Sequence, residues 1–222
     1  MKIIILAGGK GTRISELTKI IPKPMIKIGK KPILMHIIEH YSKFGKKDFY
    51  IALGYKNSVV QNYFKNFKKF DQPFIFFINK KKITITLSFT GKNTLTGGRI
   101  KRMKKFINKD ESFMFTYGDG VSNVNLRDLE KFHIKNKKII TVTAVRPPAR
   151  FGEITIKNNR VNTFKEKPQV TEGWINGGFF VANYKFFKFI KGDRTILERE
   201  PLEKAAKLKQ LFAFKHKGFW KC

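Results

Sequence analysis

Met1-Lys2-Ile3-Ile4-Ile5-Leu6-Ala7-Gly8-Gly9-Lys10-Gly11-Thr12-Arg13 opens the chain, and its reading decides the fold. The apolar run from Ile3 to Ala7 has no polar interruption, which predicts a strand buried on both faces in a parallel sheet. Gly8, Gly9 and Gly11 follow at once. They permit backbone angles and a close ligand approach that a Cβ would block, and their amides can face an anion at the strand's carboxyl end. Open α/β sheets place their ligands there. Thr12 and Arg13 add a hydroxyl and a cation with a fixed fork of donors, both suited to phosphate oxygens. Two common nucleotide patterns are absent: Arg13 stands where GxxxxGK[ST] needs glycine after Gly8, and Ile14 stands where GxGxxG needs it after Gly9.

The chain has 222 residues, 41% apolar and 14% aromatic, enough for one substantial core and one domain. The opening apolar run is too short to cross a bilayer and carries no signal-peptide pattern, so a cytoplasmic enzyme is expected, with no membrane partner. Cys222, the single cysteine, has no internal partner. A formal charge of +31 raises nucleic-acid binding as a rival reading. The lysines are spread through every segment rather than gathered in a tail, so no functional nucleic-acid partner is expected. The field still favours polyanionic substrates such as nucleoside triphosphates.

Further along, Pro22-Lys23-Pro24-Met25 fixes a lysine between two prolines, in an arm that reaches back over the glycine turn. Pro32 opens a helix through Tyr41. Its His36 and His40 have no third ligand or carboxylate motif beside them and read as solvent-facing or capped. A strand at 48–53, a helix at about 58–67 and a hairpin over 74–89 continue a rhythm that predicts a doubly wound sheet. Thr96-Gly97-Gly98-Arg99 is read as opening a helix over 100–106, with free amides for phosphate or base contacts. Strand 113–117 runs into Gly118-Asp119-Gly120, where a carboxylate at a strand's end is placed to hold Mg²⁺ against phosphates. After helix 126–134 and strand 139–145 come short strands with Asn turns, an antiparallel addition carrying Lys165-Glu166-Lys167-Pro168 and Ile175-Asn176-Gly177-Gly178. Lys167 offers a charge and Asn176 an amide for hydroxyls. Residues 1–145 are read as a nucleotide-binding lobe and 146–222 as a sugar-phosphate-binding lobe of a single domain.

Together Leu6–Arg13 and Pro22–Met25 resemble the LAGGxGTR and PKPM signature of the sugar-1-phosphate nucleotidylyltransferases. The glucose-1-phosphate cytidylyltransferase branch is nearer still, through Lys30–Ile38, Leu95–Arg99, Tyr117–Val121, Arg150–Gly152, Phe164–Pro168, Ile175–Phe180 and Gly218–Trp220. The resemblance covers nearly the whole chain. It implies a Rossmann-like, mostly parallel α/β fold of the nucleotide-diphospho-sugar transferase type, and transfer of a cytidylyl group from CTP to glucose 1-phosphate. Products would be CDP-glucose and pyrophosphate, for cell-surface polysaccharide such as O-antigen. By the same resemblance Gly8, Gly9 and Gly11 receive the nucleotide, with Leu6, Ala7, Thr12, Arg99 and Gly118 beside them. Arg13 meets the β,γ-phosphates, Lys23 the α-phosphate and Asp119 the Mg²⁺. Lys167 holds the sugar phosphate, and Glu166, Asn176 and Gly177 the sugar hydroxyls. Thymidylyl or uridylyl transfer to a hexose 1-phosphate, or nucleotide binding with little turnover, are the alternatives.

The sequence departs from the family in two places. The excursion before the Thr-Gly-Gly-Arg segment is short, which bears on base preference and on a homo-oligomer. The family also continues beyond Gly-Phe-Trp into a Met-Asp-Thr segment holding a second metal aspartate, whereas Cys222 ends this sequence. The resemblance therefore implies a missing C-terminal end, impaired turnover and uncovered apolar surface near Phe212, Phe214 and Trp220; the alternative is that another carboxylate compensates, Glu166 being the nearest by motif.

Overall fold

The computed structural model describes residues 1–9, 20–147, 153–157, 159–165 and 173–222. Gly11, Thr12, Arg13, Glu166 and Lys167 lie outside them. In chain order the elements are β1 (Ile3–Ala7), β2 (Lys27–Ile28), β3 (Lys31–Pro32), α1 (Ile33–Lys43), β4 (Asp48–Leu53), α2 (Asn57–Tyr63), β5 (Pro73–Ile78), β6 (Lys81–Phe89) and α3 (Thr96–Arg102). There follow β7 (Ser112–Tyr117), β8 (Val121–Ser122), α4 (Leu126–Asn136), β9 (Ile140–Val145), β10 (Glu153–Lys157), β11 (Arg160–Lys165), β12 (Ile175–Asn183), α5 (Glu200–Lys207), β13 (Leu211–His216) and β14 (Trp220–Lys221).

One eight-stranded sheet runs in the order β13-β9-β12-β7-β1-β4-β6-β5. As expected, β1 is wholly buried and central, parallel to β4 on one side and β7 on the other. Leu6 stands opposite both Ala52 and Tyr117, so the three strands end at one level. Side chains alternate along a strand, and β1 feeds both faces: Ile3, Ile5 and Ala7 join one apolar cluster while Ile4 and Leu6 join the other. Helices α1 and α4 cover the first face, and α3, α5 and the 3₁₀ turn Tyr184–Phe189 cover the second. On that second face Phe115 stacks on Phe180 with ring centroids 4.4 Å apart.

The stretch after residue 146 returns to the same sheet, with β12 antiparallel between β7 and β9 and β13 on the edge. β10 and β11 form the small antiparallel addition. Helix α2 ends at Tyr63, earlier than its sequence pattern predicts, because Phe64 turns inward and packs its ring on Phe74 and Phe76 beneath the β5–β6 hairpin. Apolar surface near the C-terminal end is uncovered at Phe219, which is 58% exposed, whereas Phe212, Phe214 and Trp220 are themselves half-buried, Phe214 and Trp220 against the core. Among the described residues no helix is long and apolar enough to cross a membrane.

Helix α3 also starts earlier than its sequence suggests, at Thr96, and the amides at its start are not free. Gly97 and Gly98 both donate to the Thr195 carbonyl. A Cβ on Gly98 would lie 2.5 Å from the Asp193 Cα, so these glycines let a distant loop touch the helix rather than an anion. Replacing a mid-helix glycine by alanine normally stabilises by about 1 kcal/mol. Here Gly98→Ala reverses that sign, because rigid backbone must move: a loss of roughly 1–3 kcal/mol is expected in urea melts. A more stable Gly98→Ala protein would contradict the packing described.

Candidate active site

The carboxyl ends of β1 and β4 are joined by a backbone bond, Tyr55 N–H to Gly8 O at 3.1 Å, and by one side chain. Arg99, on α3, is 3% exposed, and its Nη1 donates to Leu53 O at 3.1 Å, Thr90 Oγ1 at 2.7 Å and Gly91 O at 2.9 Å. Its Nη2 donates to Gly8 O at 2.7 Å. The guanidinium passes so close to the chain that a Cβ on either Gly8 or Gly54 would lie 2.3 Å from Nη1. Gly8 is therefore required by the protein's own arginine, whereas a Cβ on Gly9 would meet nothing within 4 Å. Burial first, then the neighbouring Arg102, pulls the Arg99 guanidinium down to about 10, still cationic near neutrality. Arg99 thus floors a cavity of about 410 Å³ bordered by Leu6, Gly8, Gly9, Thr94 and Gly118. Ala7 is buried in the strand behind it.

The Pro-Lys-Pro arm lies across the end of β7. It forms a single 3₁₀ turn over Lys23–Met25, with Pro24 and Met25 buried. Gly118 permits this seat, since a Cβ there would come within 3.0 Å of Pro24 Cγ and 2.7 Å of Leu6 O. The arm brings Lys23 Nζ to 2.9 Å from Asp119 Oδ2. A lysine and a carboxylate far apart in the sequence are joined beside the glycine turn.

A second cavity, about 560 Å³, adjoins the first and is bordered by Asn176, Gly177, Glu198 and Trp220. Lys23, Thr96, Tyr117 and Asp119 border both. Tyr117 OH donates to Glu198 Oε1 at 2.6 Å and accepts from Asn176 Nδ2 at 3.1 Å. Thr96 Oγ1 donates to Glu198 Oε2 at 2.8 Å. Burial first, then the Glu198 charge, pushes the Tyr117 phenol strongly up, so it stays protonated. Gly177 O accepts from Trp220 Nε1 at 2.7 Å, which holds the Gly-Phe-Trp segment against this wall.

His36 and His40 are not ligands here: each Nε2 donates to a backbone carbonyl, of Ile28 and Val124 respectively. Among the described residues no group of three or more His, Cys, Asp or Glu side chains is placed to hold a metal.

A family model for nucleotidyl transferases matches residues 2–220. The chain belongs to the nucleotidyl transferase family. It is 44% identical over 230 residues to glucose-1-phosphate cytidylyltransferase of Salmonella typhimurium, covering 99% of this chain and 90% of that one. Mannose-1-phosphate guanyltransferase of Yarrowia lipolytica is 30% identical over 226 residues, 99% of this chain and 60% of its relative. Among solved structures, HddC from Yersinia pseudotuberculosis superposes with a TM-score of 0.73 at 24% identity, covering 99% and 92% of the two chains. UDP-glucose pyrophosphorylase complexed with UDP-glucose gives 0.69 at 19%, covering 99% and 91%. These last two speak for the fold.

Of the residues singled out in the sequence, the structure brings Leu6, Gly8, Gly9, Lys23, Arg99, Gly118 and Asp119 to the first cavity and Asn176 and Gly177 to the second. Sequence reasoning missed Thr96 and Tyr117 as wall residues, although both sit inside motifs it quoted, and missed Glu198 altogether. If Arg99 ties the ends of β1 and β4, then Arg99→Lys, which keeps the charge but loses the fork, should cost at least about 2 kcal/mol. That corresponds to a thermal midpoint lower by roughly 4–8 °C for a chain of this size. An unchanged midpoint would show that the fork does not hold the turn.

Proposed function

We propose that this enzyme transfers a cytidylyl group from CTP to glucose 1-phosphate, releasing pyrophosphate and CDP-glucose. The observation that carries the reading is the pair of adjoining cavities with Lys23 and Asp119 on their common edge. Transfer between two phosphorylated substrates requires such an edge, where the reacting phosphorus lies between donor and acceptor. The cytidylyl and glucosyl parts of the proposal rest on the 44% identical relative.

The nucleoside is assigned to the cavity floored by Arg99, and the hexose to the one walled by Asn176 and Glu198. A sugar phosphate oxygen attacks the α-phosphorus in line with the departing pyrophosphate. Both partners are anions, so the main task is to hold two negative groups together and meet the charge that spreads over the transferring group. Lys23 Nζ stands at the common edge with donors for the α-phosphate. Arg13 is assigned to the β,γ-phosphates and Lys167 to the sugar phosphate. The acceptor is ionised near neutrality and needs no strong general base.

Asp119 fits a divalent metal that arrives with its nucleotide. Mg²⁺ keeps several waters and is often held by one or two carboxylates together with substrate phosphates, and Asp119 is a carboxylate on the cavity edge. When bound, Mg²⁺ supplies charge neutralisation at the phosphates. Asp119 would hold the metal, and Lys23, its counter-ion in the ligand-free protein, has further N–H donors for phosphate oxygens.

Pyrophosphate release with each of CTP, UTP, dTTP and GTP, at saturating glucose 1-phosphate and Mg²⁺, tests the base assignment. CTP should lead by at least about tenfold, the scale of one well-formed polar contact. A clear lead for UTP or dTTP would overturn it. Arg13→Ala and Lys23→Ala, if folded, should each lower kcat/KM by roughly 10²-fold or more. Near-normal turnover would remove that residue from the mechanism.

A further inference from the structure

The hydrogen bonds that link Asn176, Tyr117 and Thr96 to Glu198 all run toward its carboxylate. Gly178 N–H donates to Asn176 Oδ1 at 2.8 Å, which fixes the amide with its Nδ2 outward. Nδ2 donates one proton to the Tyr117 oxygen, and the Tyr117 proton goes to Glu198 Oε1. From the other side Leu197 N–H donates to Thr96 Oγ1 at 2.9 Å, and the Thr96 proton goes to Glu198 Oε2. Both routes end on one carboxylate. Tyr117 and Thr96 are therefore donors to Glu198, and turning either proton to a ligand would give up a hydrogen bond to that exposed carboxylate.

The unused valences follow from this count. Asn176 Nδ2 keeps one N–H, and each Glu198 oxygen keeps a lone pair. All of them belong to residues bordering the second cavity. A fixed donor close to a fixed anionic acceptor is complementary to neighbouring hydroxyl groups on a sugar ring, each of which both donates and accepts. It is a poor match for a phosphate, which a carboxylate repels.

We propose that Glu198 is a specificity-determining residue of the acceptor site: it accepts a hydroxyl proton of the hexose while Tyr117 and Thr96 hold its two oxygens in place. This rests on the hexose 1-phosphate reading above and adds to it the group that reads the ring. Glu198 also links α3, which borders the nucleotide cavity, to the loop before α5, so the ring reader is built on the wall that both substrates share.

The test is isothermal titration of glucose 1-phosphate and, separately, of CTP with Mg²⁺, into the wild-type chain, Glu198→Gln and Glu198→Asp, with thermal midpoints recorded for each. Glu198→Gln keeps the shape and loses the charge; Glu198→Asp keeps the charge and shortens the reach. Both should weaken glucose 1-phosphate by about tenfold or more, the scale of one charge-assisted hydrogen bond, and leave CTP within about twofold. Repeating the titration with deoxy-glucose 1-phosphates should identify one ring position whose removal costs the wild type about as much as the mutation does and costs Glu198→Gln almost nothing more. Sugar binding unchanged in both variants, or equal losses for sugar and CTP, would overturn the role of Glu198 while the wild type still bound its substrates. A wild type that bound no hexose 1-phosphate would overturn the acceptor reading as well.

Discussion

The interaction on which the rest of the site depends is the buried Arg99 guanidinium. It draws Leu53 O, Gly91 O, Thr90 Oγ1 and Gly8 O to one planar cation. A parallel sheet leaves the last carbonyls of its strands without ladder partners at the end where ligands bind. Here Gly8 O accepts from Tyr55 N–H and Leu53 O from Thr90 N–H, and Arg99 on α3 adds a further donor to each from one side chain. The close approach excludes a Cβ at Gly8 and at Gly54. A charged group desolvated to this degree is costly unless its donors are used, and its use on four oxygens couples the position of α3 to the floor of the nucleotide cavity.

From that floor the site is built outward by packing. Gly118 lets Pro24 lie against the end of β1, and Pro24 carries Lys23 to Asp119. Gly97 and Gly98 let the Asp193–Thr195 segment lie on α3, which brings Glu198 to Thr96 and Tyr117. The glycines near the site thus act mainly by allowing contact between parts of the chain. Opposite charges and paired donors then occupy the common edge of two cavities, an arrangement suited to holding two anionic substrates in a fixed relation.

The fold was legible because its signal is local. An apolar run from Ile3 to Ala7, strands of similar pattern at 48–53 and 113–117, and intervening amphipathic helices specify a doubly wound sheet without reference to distant residues. Lys23 and Asp119 were legible for a related reason, since prolines and glycines beside them announce special backbone. The glycines of α3 were misread as an anion site because their real partner, the Thr195 carbonyl, is remote in sequence and nothing local announces it. Glu198 was invisible for the same reason: Ile196-Leu197-Glu198-Arg199 has no motif, and only the folded chain places its carboxylate on Tyr117 and Thr96. Side chains whose role is set by a through-space partner are what sequence patterns do not carry.

The account's central claim is that transfer takes place at the edge shared by the two cavities, and the most direct measurement is a crystal structure with the nucleotide sugar product bound. The account predicts the nucleoside over Gly8 and Arg99, the diphosphate between Lys23 and Asp119, and the hexose against Asn176 and Glu198. A diphosphate remote from Lys23 and Asp119, or a hexose in the cavity floored by Arg99, would contradict it.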